Sequence, residues 1–139
     1  MLRSTSALAI VIGLCCARPA AAQFHFGRRD TLPERVVQRA LDAYNNHDVV
    51  ALEAEYQPYF MFERMADSSG PHLLSRVAMR DSLILVFQRT TDAREKLSKR
   101  VLNGPLVTDV YTTIENRKKH RHLGIYEVRG GKIVREWRY

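Results

Sequence analysis

Cysteine is scarce in this sequence, and its position removes it from the folded part. Cys15 and Cys16, the two cysteines, lie in the opening stretch MLRSTSALAIVIGLCCARPAAAQ. A basic start at Arg3, an uncharged apolar run over 7–17 and small residues at Ala20-Ala21-Ala22 form the pattern of a secretory signal peptide, with Gln23 as the expected new N-terminus. The run is too short for an ordinary membrane span. Leu14 before Cys15 is not the small residue that a lipoprotein signal needs. Residues 1–22 are therefore read as cleaved, with an uncleaved anchor as the alternative. Without them no cysteine remains, which excludes a disulfide, a thiolate metal site and a cysteine nucleophile. The product is expected to be periplasmic or secreted, and off the membrane once the signal is cleaved.

Acidic residues are the minority. After Arg3 and Arg18 leave with the signal, 20 basic residues face 15 acidic ones, a net charge of +5. That suits an exported protein near an anionic envelope as well as it suits an anionic ligand. Repeats, low-complexity segments and interdomain linkers are also missing. About 117 residues remain, enough for one core without covalent staples. Residues 23–30 read as a flexible arm and 31–139 as one domain.

What is present is a clear order of elements. Thr31-Leu32-Pro33-Glu34 has the form of a capping box with proline in the first turn. Val36, Val37, Ala40, Leu41 and Tyr44 follow at helical spacing, and Asn45-Asn46-His47 breaks the helix. Asp48 can cap a short helix over 49–55. The aromatic run 59–65 reads as a strand, and 67–71 as a loop. Helical spacing returns over 75–90 with Val77, Leu83, Ile84 and Phe87, while Arg80, Asp81 and Gln88 face outward. Strands follow at 95–102, 106–115, 119–128 and 132–139, the last two joined by a Gly130-Gly131 hairpin turn. This order predicts an α+β fold, with three helices packed on one face of a curved antiparallel sheet.

Three stretches, VVQRALDAYNNHDVVALEAEY, VAMRDSLILVFQ and YEVRGGKIVREWRY, give the chain a resemblance to the nuclear transport factor 2-like superfamily. It most resembles the SnoaL-like and ketosteroid-isomerase-like branch, over nearly all of 33–139. The resemblance implies a cone of curved sheet with a cavity open at one end, and a homodimer through the sheet's outer face. It also implies catalytic positions, and most of them differ here. The helix tyrosine of the isomerases corresponds to Ala40 and their protonated aspartate to Gly124. Their general base falls near Glu63. The acid-base aspartate that follows the closing tryptophan of SnoaL-type cyclases corresponds to Arg138.

Three functional readings stay open. The first is a binding domain for a small, largely apolar ligand, with no established catalysis. The second is an acid-base lyase, isomerase or hydrolase using Glu63 with His122. The third is a dimerisation or partner-binding module. Glu63, between Phe62 and Arg64, is either a buried base or a rim carboxylate paired with an arginine. His120 and His122 share a strand face with Gly124 and Tyr126 and are expected at the cavity mouth. A third metal ligand beside them, such as Glu136, is not established, so no metal and no cofactor are expected. Tyr44, Tyr59, Met61, Met65, Tyr126, Glu136 and Arg138 complete the expected lining. Arg138 is either an anion clamp or a partner of Glu136. Trp137 and Tyr139, on the other face, suit a dimer interface. The basic run Lys118-Lys119-His120-Arg121-His122 reads as solvated charge at a hairpin bend, and no nucleic-acid partner is expected.

Overall fold

The computed structural model describes residues 30–66 and 70–139. The signal at 1–22, the arm up to residue 29 and residues 67–69 of the expected loop lie outside the described residues.

Helix α1, Pro33–Asn45, buries Val36, Val37, Ala40, Ala43 and Tyr44, the face that the helical spacing marked. Its expected capping box does not form. Leu32 is the N-cap residue and makes no side-chain cap; its N–H donates instead to Asp30 Oδ1 at 3.0 Å. The Thr31 side chain packs over Gly131, where an added Cβ would meet Thr31 Cγ2 at 2.8 Å. Helix α2, Val49–Glu53, is capped by Asp48, which accepts from Ala51 N–H at 2.9 Å.

Strand β1, Tyr56–Arg64, pairs with β2, His72–Ser75, a short strand between the loop expected over 67–71 and the helix expected from 75. Helix α3, Arg76–Arg89, starts at Ser75, whose hydroxyl accepts from Ala78 N–H. Phe87 is buried, while Met79, Leu83 and Val86 pack partly buried against the core. Val77, expected inside, is exposed. Strands β3, Arg94–Asn103; β4, Leu106–Glu115; β5, Lys118–Arg129; and β6, Lys132–Arg138, follow.

Among the described residues the sheet has six strands, in the order β2-β1-β6-β5-β4-β3. It is antiparallel except at β1–β6, where the pairing is parallel. Gly130 and Gly131 have φ of 56° and 74°, as a two-residue hairpin with both central residues left-handed requires. The β4–β5 turn is Asn116-Arg117, held by the Asp92 carboxylate, which accepts from both N–H groups at 2.8 Å. The basic run from Lys118 to His122 therefore lies within β5, and the bend precedes it.

Two irregularities decide what faces inward. The β3–β4 register shifts between Leu97 and Lys99, and the β5–β6 register shifts opposite Glu127/Val128. An inserted residue reverses the in–out alternation of a strand. As a result Ile133 and Glu136, three apart on β6, are both buried. On β3, Leu97 lines the interior cavity while Arg100 reaches buried Asp109. The core joins Val36, Val37 and Ala40 of α1 to Phe60, Phe87, Val107, Val128 and Ile133. Arg100 ties α1 to the sheet, donating to both Asp109 oxygens at 2.7 and 2.6 Å and to Gln38 Oε1 at 2.9 Å.

Candidate functional site

The helices and the concave face of the sheet enclose a chamber of about 210 Å³. Its wall is largely apolar, with Val37, Leu41, Leu52, Phe60, Phe62 and Leu83 among the lining residues. A second space of about 420 Å³ is lined by Thr113, Glu115, His120, His122 and Tyr139. Tyr44, Arg64, Glu95, Tyr111 and Arg138 line both spaces. They form a polar neck between an apolar chamber and an outer vestibule.

Three buried carboxylates among the described residues face this cavity, and Asp109 is the one bound to Arg100. Glu136 is fully engaged: Tyr56 Oη donates to Oε2 at 2.9 Å, and Arg138 Nε donates to Oε1. Burial pushes the Tyr56 hydroxyl well above its ordinary value, and the neighbouring Glu136 charge adds to the effect. Burial works against the Arg138 charge, but Glu136, with Tyr111, Glu95 and Tyr126 adding to it, holds the guanidinium well above its ordinary value. The β6 irregularity permits this arrangement by turning Glu136 and Arg138 to the same side as Ile133.

Glu95 differs. It is 9% exposed, and no hydrogen bond or ion pair from the described residues reaches its carboxyl group. Desolvation pushes its pKa up to about 7; Arg138 opposes the rise, while Glu136, Asp109 and Glu115 add to it. Beside it, Tyr111 Oη is buried without a hydrogen-bond partner. Burial pushes the Tyr111 hydroxyl up to about 12, against the pull of Arg138; Tyr126 lies near enough to lower it slightly without forming an aligned bond. Gly124 makes room for both rings, since a Cβ there would meet Tyr126 Oη at 2.9 Å and Tyr111 Cε1 at 3.1 Å. Tyrosine side chains fill the space beside Gly124.

The sequence-expected residues separate cleanly. Tyr44, Tyr126, Glu136 and Arg138 line the chamber or its neck, and His120 and His122 line the vestibule. Tyr59, Met61, Glu63 and Met65 do not line either space. This corrects the face assignment on β1. Tyr56, Phe60, Phe62 and Arg64 point inward, so the alternating odd-numbered residues point away. Tyr59 is 64% exposed. Glu63 and His122 are thus not brought together. Glu136 is held by Tyr56 and Arg138 in the chamber rather than joining the histidines, and no group of three His, Asp or Glu able to hold a metal occurs among the described residues.

Sequence reasoning missed Glu95, Tyr111 and Arg64. Glu95 stands in REKLSKR, a run of charge with no apolar alternation to mark an inner face. On β4 the apolar residues Leu106, Val110 and Ile114 share the less buried face. The available signal was the opposite set, Val107, Asp109, Tyr111 and Thr113, all buried.

No family model and no curated protein matches the sequence. Solved structures do match. An NTF2-like protein of unknown function from Cytophaga hutchinsonii aligns with a TM-score of 0.67 at 16% identity, over 81% of this chain and 92% of that one. A SnoaL-like protein of unknown function from Burkholderia thailandensis aligns at 0.65 and 14% identity, over 77% and 92%. A proposed ketosteroid isomerase from Kribbella flavida aligns at 0.67 and 12% identity, over 76% and 75%. At such identities the likeness is one of fold. The chain has the NTF2-like α+β fold, helices packed on a curved sheet, as its sequence resemblance implied.

Proposed function

We propose that this chain binds a small, largely apolar molecule carrying a carbonyl oxygen and moves a proton on it, with Glu95 as the acid-base group. The observation that carries the reading is the contrast in pairing at the neck. Arg138 and Glu136 satisfy each other, whereas among the described residues no hydrogen bond reaches the Glu95 carboxyl group and Tyr111 Oη is buried without one. Buried polar groups are normally satisfied, so a ligand is the natural partner for this pair.

A carboxyl group with a pKa of about 7 is divided between acid and base at neutral pH, the condition that favours general acid-base catalysis. In its ionised form Glu95 takes a proton from the carbon beside the ligand carbonyl. Tyr111 donates a hydrogen bond to the oxygen as negative charge develops there. The protonated Glu95 then returns the proton to the far carbon of an unsaturated ligand's conjugated enolate, so that the double bond moves and the ligand is isomerised. The apolar chamber holds the ligand body and excludes water. The Kribbella flavida structure, a proposed ketosteroid isomerase, supports chemistry of this kind on the fold.

The signal pattern of residues 1–22 supports export, and fractionation of cells expressing the chain tests it. Homodimerisation through the outer face, where Arg135 stacks over Trp137 at 5.3 Å, is tested by light scattering. The catalytic reading is tested with cyclohexanone and cyclohexenone in D₂O, following α-deuterium uptake by NMR. Uptake above the buffer rate is expected, falling about 10²-fold or more in Glu95→Gln. Equal uptake by the protein and its variant would sink the reading. Native mass spectrometry of protein from its own envelope would seek the natural ligand.

A further inference from the structure

The break after helix α1, Asn45-Asn46-His47, lies against the open edge of the sheet. Strand β3 is an edge strand, with β4 on one side and no strand among the described residues on the other. In an antiparallel pair, alternate residues turn both backbone groups away from the partner strand. On β3 these groups do not go unmet. Asn45 Nδ2 donates to Glu95 O at 2.9 Å, and Glu95 N–H donates to Asn45 Oδ1 at 2.7 Å. Two residues on, His47 Nε2 lies 2.7 Å from Ala93 O, two residues back. Side chains at 45 and 47 therefore meet the backbone at 95 and 93 in antiparallel order, as a neighbouring strand would. His47 reaches this position with φ of 55° and its ring stacked on Phe87 at 4.2 Å.

We propose that Asn45 is the positioning residue for Glu95, its side-chain amide replacing a missing strand and fixing which face of β3 the carboxyl group takes. The inference rests on the reading of Glu95 as the proton carrier. Its physical basis is register. A one-residue slip on a strand turns each side chain to the opposite face, and β3 already carries an irregularity between Leu97 and Lys99. At that weak point the paired hydrogen bonds from Asn45 hold the N-terminal part of β3 in the register that points Glu95 at the neck. The same contact sets Tyr44, the preceding residue on α1, beside the carboxyl group. Both amide bonds are satisfied by only one orientation of the Asn45 side chain.

The test is a carbon-13 NMR titration of the Glu95 carboxyl group in the wild-type protein, Asn45→Ala and Asn45→Gln, with the thermal midpoint of each. Asn45→Ala is expected to shift the Glu95 midpoint down by about one unit or more as the group gains solvent. Asn45→Gln keeps the amide on a longer stem and is expected to give a smaller shift in the same direction. It also supplies the measurement if Asn45→Ala does not fold. A purely structural contact would lower the thermal midpoint and leave the titration unmoved; that result, in whichever variant folds, overturns the proposal. An ordinary carboxylate titration for Glu95 in the wild-type protein would instead overturn the proton-transfer reading, so the two failures are distinct.

Discussion

Glu136 and Glu95 are both nearly removed from solvent and both face the cavity, yet their carboxylates live in different surroundings. Glu136 has a phenol on one oxygen and a guanidinium near the other. Glu95 has neither, although its backbone is held more firmly than its side chain. The difference separates two uses of a buried charge. A satisfied carboxylate keeps neighbouring side chains in place. One left without partners in a low-dielectric site keeps its proton to an unusually high pH and becomes a reactive group.

Breaking the satisfied side of this comparison should cost most. Glu136→Leu leaves Arg138 without its counter-ion and Tyr56 Oη without its acceptor, and a loss of about 3–5 kcal/mol is expected by urea denaturation. A loss below about 1 kcal/mol would place Glu136 with the surface pairs instead.

Glu95→Gln should act in the opposite direction and only at higher pH. The folded protein holds the Glu95 proton to about pH 7, whereas an ordinary glutamate loses it near 4.5. The unfolded chain therefore binds fewer protons between these values, and the stabilising contribution present below pH 4.5 is lost as pH rises through about 7. The variant should be more stable than the wild type by about 2–3 kcal/mol at pH 8 and equal to it at pH 4. Denaturation curves at pH 4, 6 and 8 check the slope.

Tyr111→Phe removes a buried hydroxyl that has no hydrogen-bond partner among the described residues. Stability should change by less than about 1 kcal/mol, with a gain as the favoured sign, while deuterium uptake by a bound ketone falls about 10²-fold. The smallest effect is expected at Glu63→Gln, on the far face of β1. It should change stability by no more than about 0.5 kcal/mol and leave uptake unaltered.

Much of the framework was legible because local chemistry and fold agree. Asp48 caps α2, Gly130-Gly131 turns the last hairpin, and the bounds of β4 follow its alternation. The site was far less legible, for reasons of parity. Along β1 the aromatic run has apolar residues on both faces, so pattern alone does not distinguish Phe60 and Phe62 from Tyr59 and Met61. Along β3 and β6, irregularities reverse the alternation partway, a change that no local residue announces. Glu95 acquires its character from burial by α1 and from neighbouring strands. It sits among residues 93–100, where five of the eight side chains are charged.

The parallel pairing of β1 with β6 also governs how the molecule comes into being. Tyr56 aligns with Ile133, and Phe62 with Glu136, contacts between positions that leave the ribosome far apart in time. Contacts of such separation close large loops and slow folding. The cavity wall is incomplete until β6 arrives, because Glu136 and Arg138 line it from that strand. During synthesis, β1 waits with its edge unpaired and Phe60 uncovered by that neighbour. For this interval the chain depends on α1, α2 and α3 to shield what the finished sheet will enclose.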